Sequence, residues 1–287
     1  MPTQSAFSRR CPGIVVVLIV TVGLLVGPAT RALAQTLPAS GNIDVPLWPA
    51  GAVPDALGDG PLDSPFLTVF VPPPDKRNGS AVIIAPGGSN IMLMYGGEGF
   101  EAAERFNEWG AVAFVFTYRL SPRYNEDVRV RDAKRAVQVV RSRAREWGLD
   151  PDRIGYAGFS AGSNTARTVV ATSTAGDSQA VDPIARVSSR PDYLVLVYGP
   201  GRAMPEEPLK DFPPTFLVSA AADRGPSIGN AELFLALTRA GATAELHIFQ
   251  KGRHGFGTGF GSPEFGGWMD QLNRFLTLGG FFRAEAH

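Results

Sequence analysis

Cysteine and histidine are scarce in this sequence of 287 residues: one cysteine, Cys11, and three histidines. A lone thiol excludes an intramolecular disulfide framework and any site built on several thiolates. Neither sign of charge is in excess, with 27 basic and 27 acidic side chains. No global field therefore draws the chain onto nucleic acid or an anionic membrane. Internal repeats and low-complexity tracts are absent, and no apolar run reaches the ~20 residues of a membrane-spanning helix. What remains, 44% hydrophobic and 19% charged residues, is the composition of a folded globular chain. The length suits one large α/β domain.

Residues 1–34 read as a targeting segment. Arg9 and Arg10 precede the apolar stretch Ile14–Val26, and Ala32-Leu33-Ala34 supplies a small-x-small cleavage site. This is the pattern of a secretory signal peptide, and it leads to the expectation of a secreted or periplasmic protein with no membrane segment in its mature form. An uncleaved N-terminal anchor is the alternative. Ser8-Arg9-Arg10 has a trace of a twin-arginine signal, but Cys11-Pro12-Gly13 is not the expected apolar follow-on. Cleavage after Ala34 would remove Cys11 and leave no thiol. Residues 35–60, rich in proline, glycine and small polar side chains, read as an exposed lead-in with at most one short strand. Residues 61–287 read as one folded domain.

Within that domain apolar, β-prone runs alternate with helix-period segments. The strand candidates are Leu67–Val71, Ala81–Ala85, Val112–Tyr118, Arg153–Ala157, Tyr193–Tyr198, Thr215–Ala220 and Ala244–Phe249. Most are continuously apolar, as expected of strands covered on both faces. Helical periodicity marks 98–109, 126–147, 161–172, 228–240 and 266–278. The alternation predicts an α/β fold with a mostly parallel central sheet and helices on both faces. The arginine-rich segment 126–147 reads as a solvated helix face, with Ala133, Ala136, Val137, Val140 and Ala144 turned inward. It lacks the aromatic interleaving of a nucleic-acid surface.

Gly158-Phe159-Ser160-Ala161-Gly162 matches G-x-S-x-G between a strand and a helix. The pentapeptide alone arises by chance; in that context it resembles the nucleophile elbow of the α/β-hydrolases, with Ser160 as nucleophile. The glycines relieve crowding at a tight turn, and the Ala161 N–H opens a helix where developing negative charge is favoured. A serine hydroxyl needs a base. His287 is the last residue, and His247 sits inside a strand candidate. His254, in the glycine-rich stretch Lys251–Gly257 after the last strand, is the first choice, with His247 second. The orienting acid is expected between serine and histidine in the chain. Asp223 stands just past Thr215–Ala220, whereas Asp192 begins its strand and Asp177, Asp182, Glu206, Glu207 and Asp211 follow none. A turn-forming role is the alternative for Asp223. A second oxyanion donor is expected from Pro86-Gly87-Gly88-Ser89: Gly88 first, Gly87 as its neighbour.

Further residues narrow the likeness. With the elbow, Pro86-Gly87-Gly88, Glu98-Gly99, Tyr118-Arg119-Leu120, Arg141–Arg145 with Trp147, Asp152-Arg153-Ile154, Pro213–Leu217, and His247 with His254-Gly255-Phe256-Gly257 resemble the acetylxylan-esterase-like branch of the α/β-hydrolases over about 64–277. That branch includes carbohydrate acetyl and feruloyl esterases. The resemblance implies an α/β-hydrolase fold, a Ser160–Asp223–His254 triad, and a small-molecule or carbohydrate ester as the partner, with no metal or organic cofactor. Two departures stand out. Ser89 replaces the family's usual third glycine, and the stretch Gly199–Phe212 is short where relatives carry a helical insertion, which implies a reduced cap. Tyr95, Trp268 and Met92 are candidate pocket residues only as much as core or surface ones. Three other readings are open: a general carboxylesterase or lipase with a different pocket, a non-catalytic binding protein on the same fold, and a peptidase. The last needs a recognition domain for which the length leaves no room. Nothing in the sequence bears on oligomeric state.

Overall fold

The computed structural model describes residue 37 and residues 41–199, 209–265 and 267–282. The expected signal segment, most of the short cap stretch and His287 lie outside these residues. One eight-stranded sheet organises the chain, in the order β1-β2-β4-β3-β5-β6-β7-β8. The strands are β1 (Gly41–Pro46), β2 (Phe66–Val71), β3 (Ala81–Ala85), β4 (Val112–Thr117), β5 (Ile154–Phe159), β6 (Tyr193–Val197), β7 (Thr215–Ala220) and β8 (Ala244–Phe249). Only β2 runs against its neighbours, β1 and β4; the pairs β4–β3, β3–β5, β5–β6, β6–β7 and β7–β8 are parallel.

The central strands are buried on both faces, which is why they are continuously apolar. On one face lie α2 (Glu126–Ser142), α3 (Ala161–Ala171) and α4 (Arg224–Arg239), packed over Ile83, Phe114, Tyr156, Leu196 and Leu217. On the other lie α1 (Glu101–Glu108) and α5 (Trp268–Leu278), packed over Val82, Val115, Phe159, Val197 and Phe216. Trp268 is part of this second core and is not a pocket residue.

Three readings of the sequence change. The lead-in holds one strand, β1, as expected, but it is not merely exposed: Val45 and Leu47 are fully buried. The helix expected to reach residue 147 stops at Ser142; a tighter turn follows, closed by Leu149 N–H to Ala144 O across Gly148 at φ +69°. Nor is the basic face of α2 simply solvated. The five expected inward residues are buried, and so are Arg129 and Arg135. Arg135 donates to Leu47 O and packs on the Trp48 ring, while Arg141 donates to Ser188 O, Arg190 O, Pro151 O and the Asp192 carboxylate. Guanidinium groups offer five donors, enough to satisfy loop carbonyls that the helix and sheet ladders leave over.

Arg119, just past β4, is among the most deeply buried charges of the described residues. Its guanidinium forms a bidentate pair with Asp132 of α2, both bonds 2.7 Å, and a third bond to Pro54 O. Arg119 and Asp132 are 1% and 0% exposed. Breaking such a pair from one side strands a buried charge. Arg119→Leu is expected to lower unfolding free energy by about 3–5 kcal/mol, measured by urea titration; a loss below about 1 kcal/mol, the level of a surface pair, would show that the pair is not structural.

Candidate active site

β5 ends at Phe159, and α3 begins at Ala161. The single residue between them, Ser160, takes φ 51° and ψ −115°. Such a conformation costs a non-glycine residue about 1–3 kcal/mol and projects the side chain off the carboxyl edge of the sheet. Ser160 N–H to Val197 O, 2.9 Å, holds it there. The flanking glycines are required by contact as much as by torsion. A Cβ on Gly158 would lie 2.4 Å from Gly162 O, and one on Gly162 would lie 2.1 Å from Ala85 O.

Three of the residues singled out from the sequence converge here. Ser160 Oγ is 2.7 Å from His254 Nε2, and His254 Nδ1 is 2.7 Å from Asp223 Oδ2. Asp223 stands between β7 and α4, and His254 in the loop after β8, so adjacent parallel strands deliver both to the same rim. A carboxylate can only accept, so it selects the tautomer with the proton on Nδ1 and leaves Nε2 as the acceptor facing the serine hydroxyl. The Asp223 side chain is mostly covered, and the His254 side chain is 47% exposed.

The other candidates lie elsewhere. His247 faces Glu245 at 2.7 Å and stacks on Phe216 within the sheet. Asp192 is at the opposite end of the strands, held by Arg141 and by Ile154 N–H. Asp177 accepts from Gln179 N–H. Asp182 caps the turn at Pro183–Arg186 and pairs with Arg135. Asp211 closes the turn Leu209–Asp211, while Glu206 and Glu207 lie outside the described residues. Among the described residues no cluster of His, Cys, Asp and Glu could hold a metal ion, and no helix is long and apolar enough to cross a membrane.

The loop after β3, expected to supply an oxyanion donor, lies against Ser160: a Cβ on Gly87 would come within 2.8 Å of the Ser160 Cβ. Gly88 has φ +125°, a region open to glycine alone. Its N–H and that of Ala161 donate to no acceptor among the described residues, whereas the Gly87 N–H is bonded to Glu98 Oε2 at 2.7 Å. Gly87 is therefore not available as a donor; its N–H is committed to holding the loop. The loop is pinned further by Tyr118 O–H to Pro86 O, 2.7 Å, Met94 N–H to Gly87 O, 3.0 Å, and Ser121 N–H to Asn90 O, 2.8 Å.

Two residues at the site have no role in the reading of the sequence. Glu98, in the wide turn Gly96–Phe100, is buried behind the oxyanion loop. Tyr198, just past β6 at φ 35°, packs its ring edge to face with His254, centroids 5.0 Å apart. Burial, and then the Glu98 carboxylate, push the Tyr198 hydroxyl well above its usual titration range, so it stays a neutral donor. Glu98-Gly99 was visible as part of the family likeness, but nothing local in the sequence shows where its carboxylate points. Beside the loop, an apolar cavity of about 360 Å³ is lined by Leu62, Ile91, Leu93, Tyr95 and Leu120 among others.

The family model BD-FAE matches residues 67–200. An acetylxylan esterase of Xylanibacter ruminicola is 27% identical over 245 residues, covering 74% of this chain and 47% of its own length; the chain thus spans about half of that relative. The crystal structure of an acetyl ester-xyloside bifunctional hydrolase from Caldicellulosiruptor lactoaceticus is 30% identical, with a TM-score of 0.76 over 86% of this chain and 98% of that one. A thermophilic esterase from Thermogutta terrifontis with propionate bound shares the fold at 21% identity, with a TM-score of 0.67 over 87% of this chain and 97% of that one. Coverage of 98% of that structure at 30% identity, together with the strand order and the elbow, places this chain in the acetylxylan-esterase-like branch of the α/β-hydrolase superfamily.

Proposed function

We propose that the protein hydrolyses carboxylic esters through a Ser160–His254–Asp223 acyl-enzyme, on acetyl or similarly short acyl esters of carbohydrates. The observation that carries the mechanism is the unbroken chain of contacts from Ser160 Oγ through His254 to Asp223, both 2.7 Å. His254 Nε2 takes the Ser160 proton as the oxygen attacks the ester carbonyl. The N–H groups of Gly88 and Ala161 receive the oxyanion, and the imidazolium returns the proton to the departing alcohol. Water, activated by the same imidazole, attacks the acyl-serine and releases the acid. Asp223 keeps the tautomer and favours the charged ring during both steps. The cycle requires no metal or organic cofactor.

The carbohydrate half rests on likeness to relatives named for acetylxylan and acetyl ester-xyloside hydrolysis. A second reading, a general short-chain carboxylesterase, is favoured by the apolar cavity beside the oxyanion loop and by Ile91 and Met92, 59% and 52% exposed on that loop. Residues 1–34 support export, with action outside the cytoplasm. The N-terminal mass of protein recovered from an exporting host tests this: a mature chain beginning at Gln35 is expected, and an intact Met1 would favour the anchor.

Ser160→Ala is expected to lower kcat on p-nitrophenyl acetate by about 10⁶-fold and Asp223→Asn by about 10⁴-fold, while His247→Ala keeps the wild-type rate. A His254→Ala enzyme with unimpaired turnover would end the proposal. Acetate release from acetylated xylo-oligosaccharides faster, in kcat/KM, than from simple alkyl acetates supports the carbohydrate reading; the reverse order selects the general esterase. Faster cleavage of peptide anilides than of any ester would refute both.

A further inference from the structure

A buried carboxylate is costly unless every lone pair it exposes finds a donor. Glu98 is only 7% exposed, and both its oxygens are used. Oε2 accepts the Gly87 N–H at 2.7 Å, and Oε1 accepts the Tyr198 O–H at 2.7 Å. The Tyr198 oxygen in turn accepts the Gly257 N–H at 3.0 Å. Gly87 immediately precedes the proposed oxyanion donor Gly88, and Gly257 closes the loop that carries His254. One side chain thus ties together two pieces of the site, each of which is a glycine-rich loop outside the sheet.

Tyr198 reinforces the connection by contact. Its ring is fully buried and lies edge to face with both His254 and Phe256, at 5.0 and 4.7 Å between centroids. Its φ of 35° is unfavourable for an aromatic residue. The Tyr198 N–H to Val218 O bond, 2.7 Å, and the Glu98–Tyr198–Gly257 chain hold it there. The turn that presents Glu98 also abuts the histidine loop directly, since a Cβ on Gly257 would lie 3.0 Å from Gly97 O.

We infer that Glu98 is a positioning residue for ester hydrolysis, acting through Gly87 on the oxyanion donor Gly88 and through Tyr198 on the loop of His254. The inference rests on the Ser160–His254–Asp223 reading. Glu98 does not touch substrate, so its effect falls on the alignment of groups that matter when the oxyanion forms and not on ground-state affinity. Loss of the carboxylate lets the Gly87–Gly88 peptides turn and releases the imidazole loop together. That combination predicts a fall in kcat with little change in KM.

Glu98→Leu, Glu98→Gln, Tyr198→Phe and the Leu/Phe double variant, assayed on p-nitrophenyl acetate beside Ser160→Ala, test the inference. Glu98→Leu is expected to lower kcat by about 100-fold, the scale of one lost oxyanion donor, with KM within about threefold. Glu98→Gln, which restores one carbonyl acceptor, recovers at least about tenfold of that loss, and the double variant is no worse than Glu98→Leu because both changes break one network. A kcat within about threefold of wild type for Glu98→Leu, an effect confined to KM, or fully additive effects in the double variant would overturn it. If Glu98→Leu does not fold, Tyr198→Phe decides alone: removal of that one oxygen lowers kcat about tenfold, or the inference fails. Ser160→Ala separates the two levels, since retained hydrolysis there refutes the underlying triad, whereas its loss with unaffected Glu98 variants refutes only the positioning role.

Discussion

Ser160 occupies a backbone conformation that a residue with a side chain avoids, and much of the surrounding architecture serves to hold it there. The turn leaves β5 in the middle of a fully buried sheet and enters α3 with Ser160 as the single intervening residue. Bulk at Gly158 or Gly162 would strike the backbone of α3 or β3, so the elbow cannot relax sideways. The strain is compensated by the N–H bond of Ser160 to β6 and by the packing of α3 on the sheet. A relaxed serine at this point would lie along the strand, away from the imidazole.

Around that point the site is built from the carboxyl ends of parallel strands. The loop proposed to hold the oxyanion follows β3, Ser160 follows β5, Asp223 follows β7 and His254 follows β8. Parallel strands bring their loops to one rim, so the site is a consequence of strand direction as much as of residue identity. The antiparallel β2, with β1 outside it, extends the sheet on the far side and contributes none of these groups.

The layout was legible in the sequence because its signals are strong and local. Buried parallel strands impose continuous apolar runs, and the elbow demands small residues at fixed offsets. Scarcity of histidine singled out His254, which lies 2.7 Å from the Ser160 hydroxyl. Other features depend on contacts between distant segments. Glu98 and Tyr198 meet across a separation of 100 positions, and no periodicity announces such a bond. The arginines of α2 read as solvated because a charge pattern does not say which loop carbonyls will arrive to meet them. Arg141 reaches the backbone at Ser188 and Arg190, segments with no signature of their own. Gly87 and Gly88 look equivalent on paper; the Glu98 carboxylate makes them different.

The groups proposed to react come from separate crossovers, with Ser160 and His254 lying 94 positions apart in the chain. The last of the four site-bearing strands, β8, is also the last strand among the described residues, so the sheet must be built out to β8 before Ser160 and His254 meet. A chain held open, by a chaperone or during passage through a narrow conduit, has only an ordinary hydroxyl at position 160. On the proposed mechanism, turnover of an ester by this protein would accordingly report on the completeness of its tertiary structure, since no fragment ending before β8 contains His254.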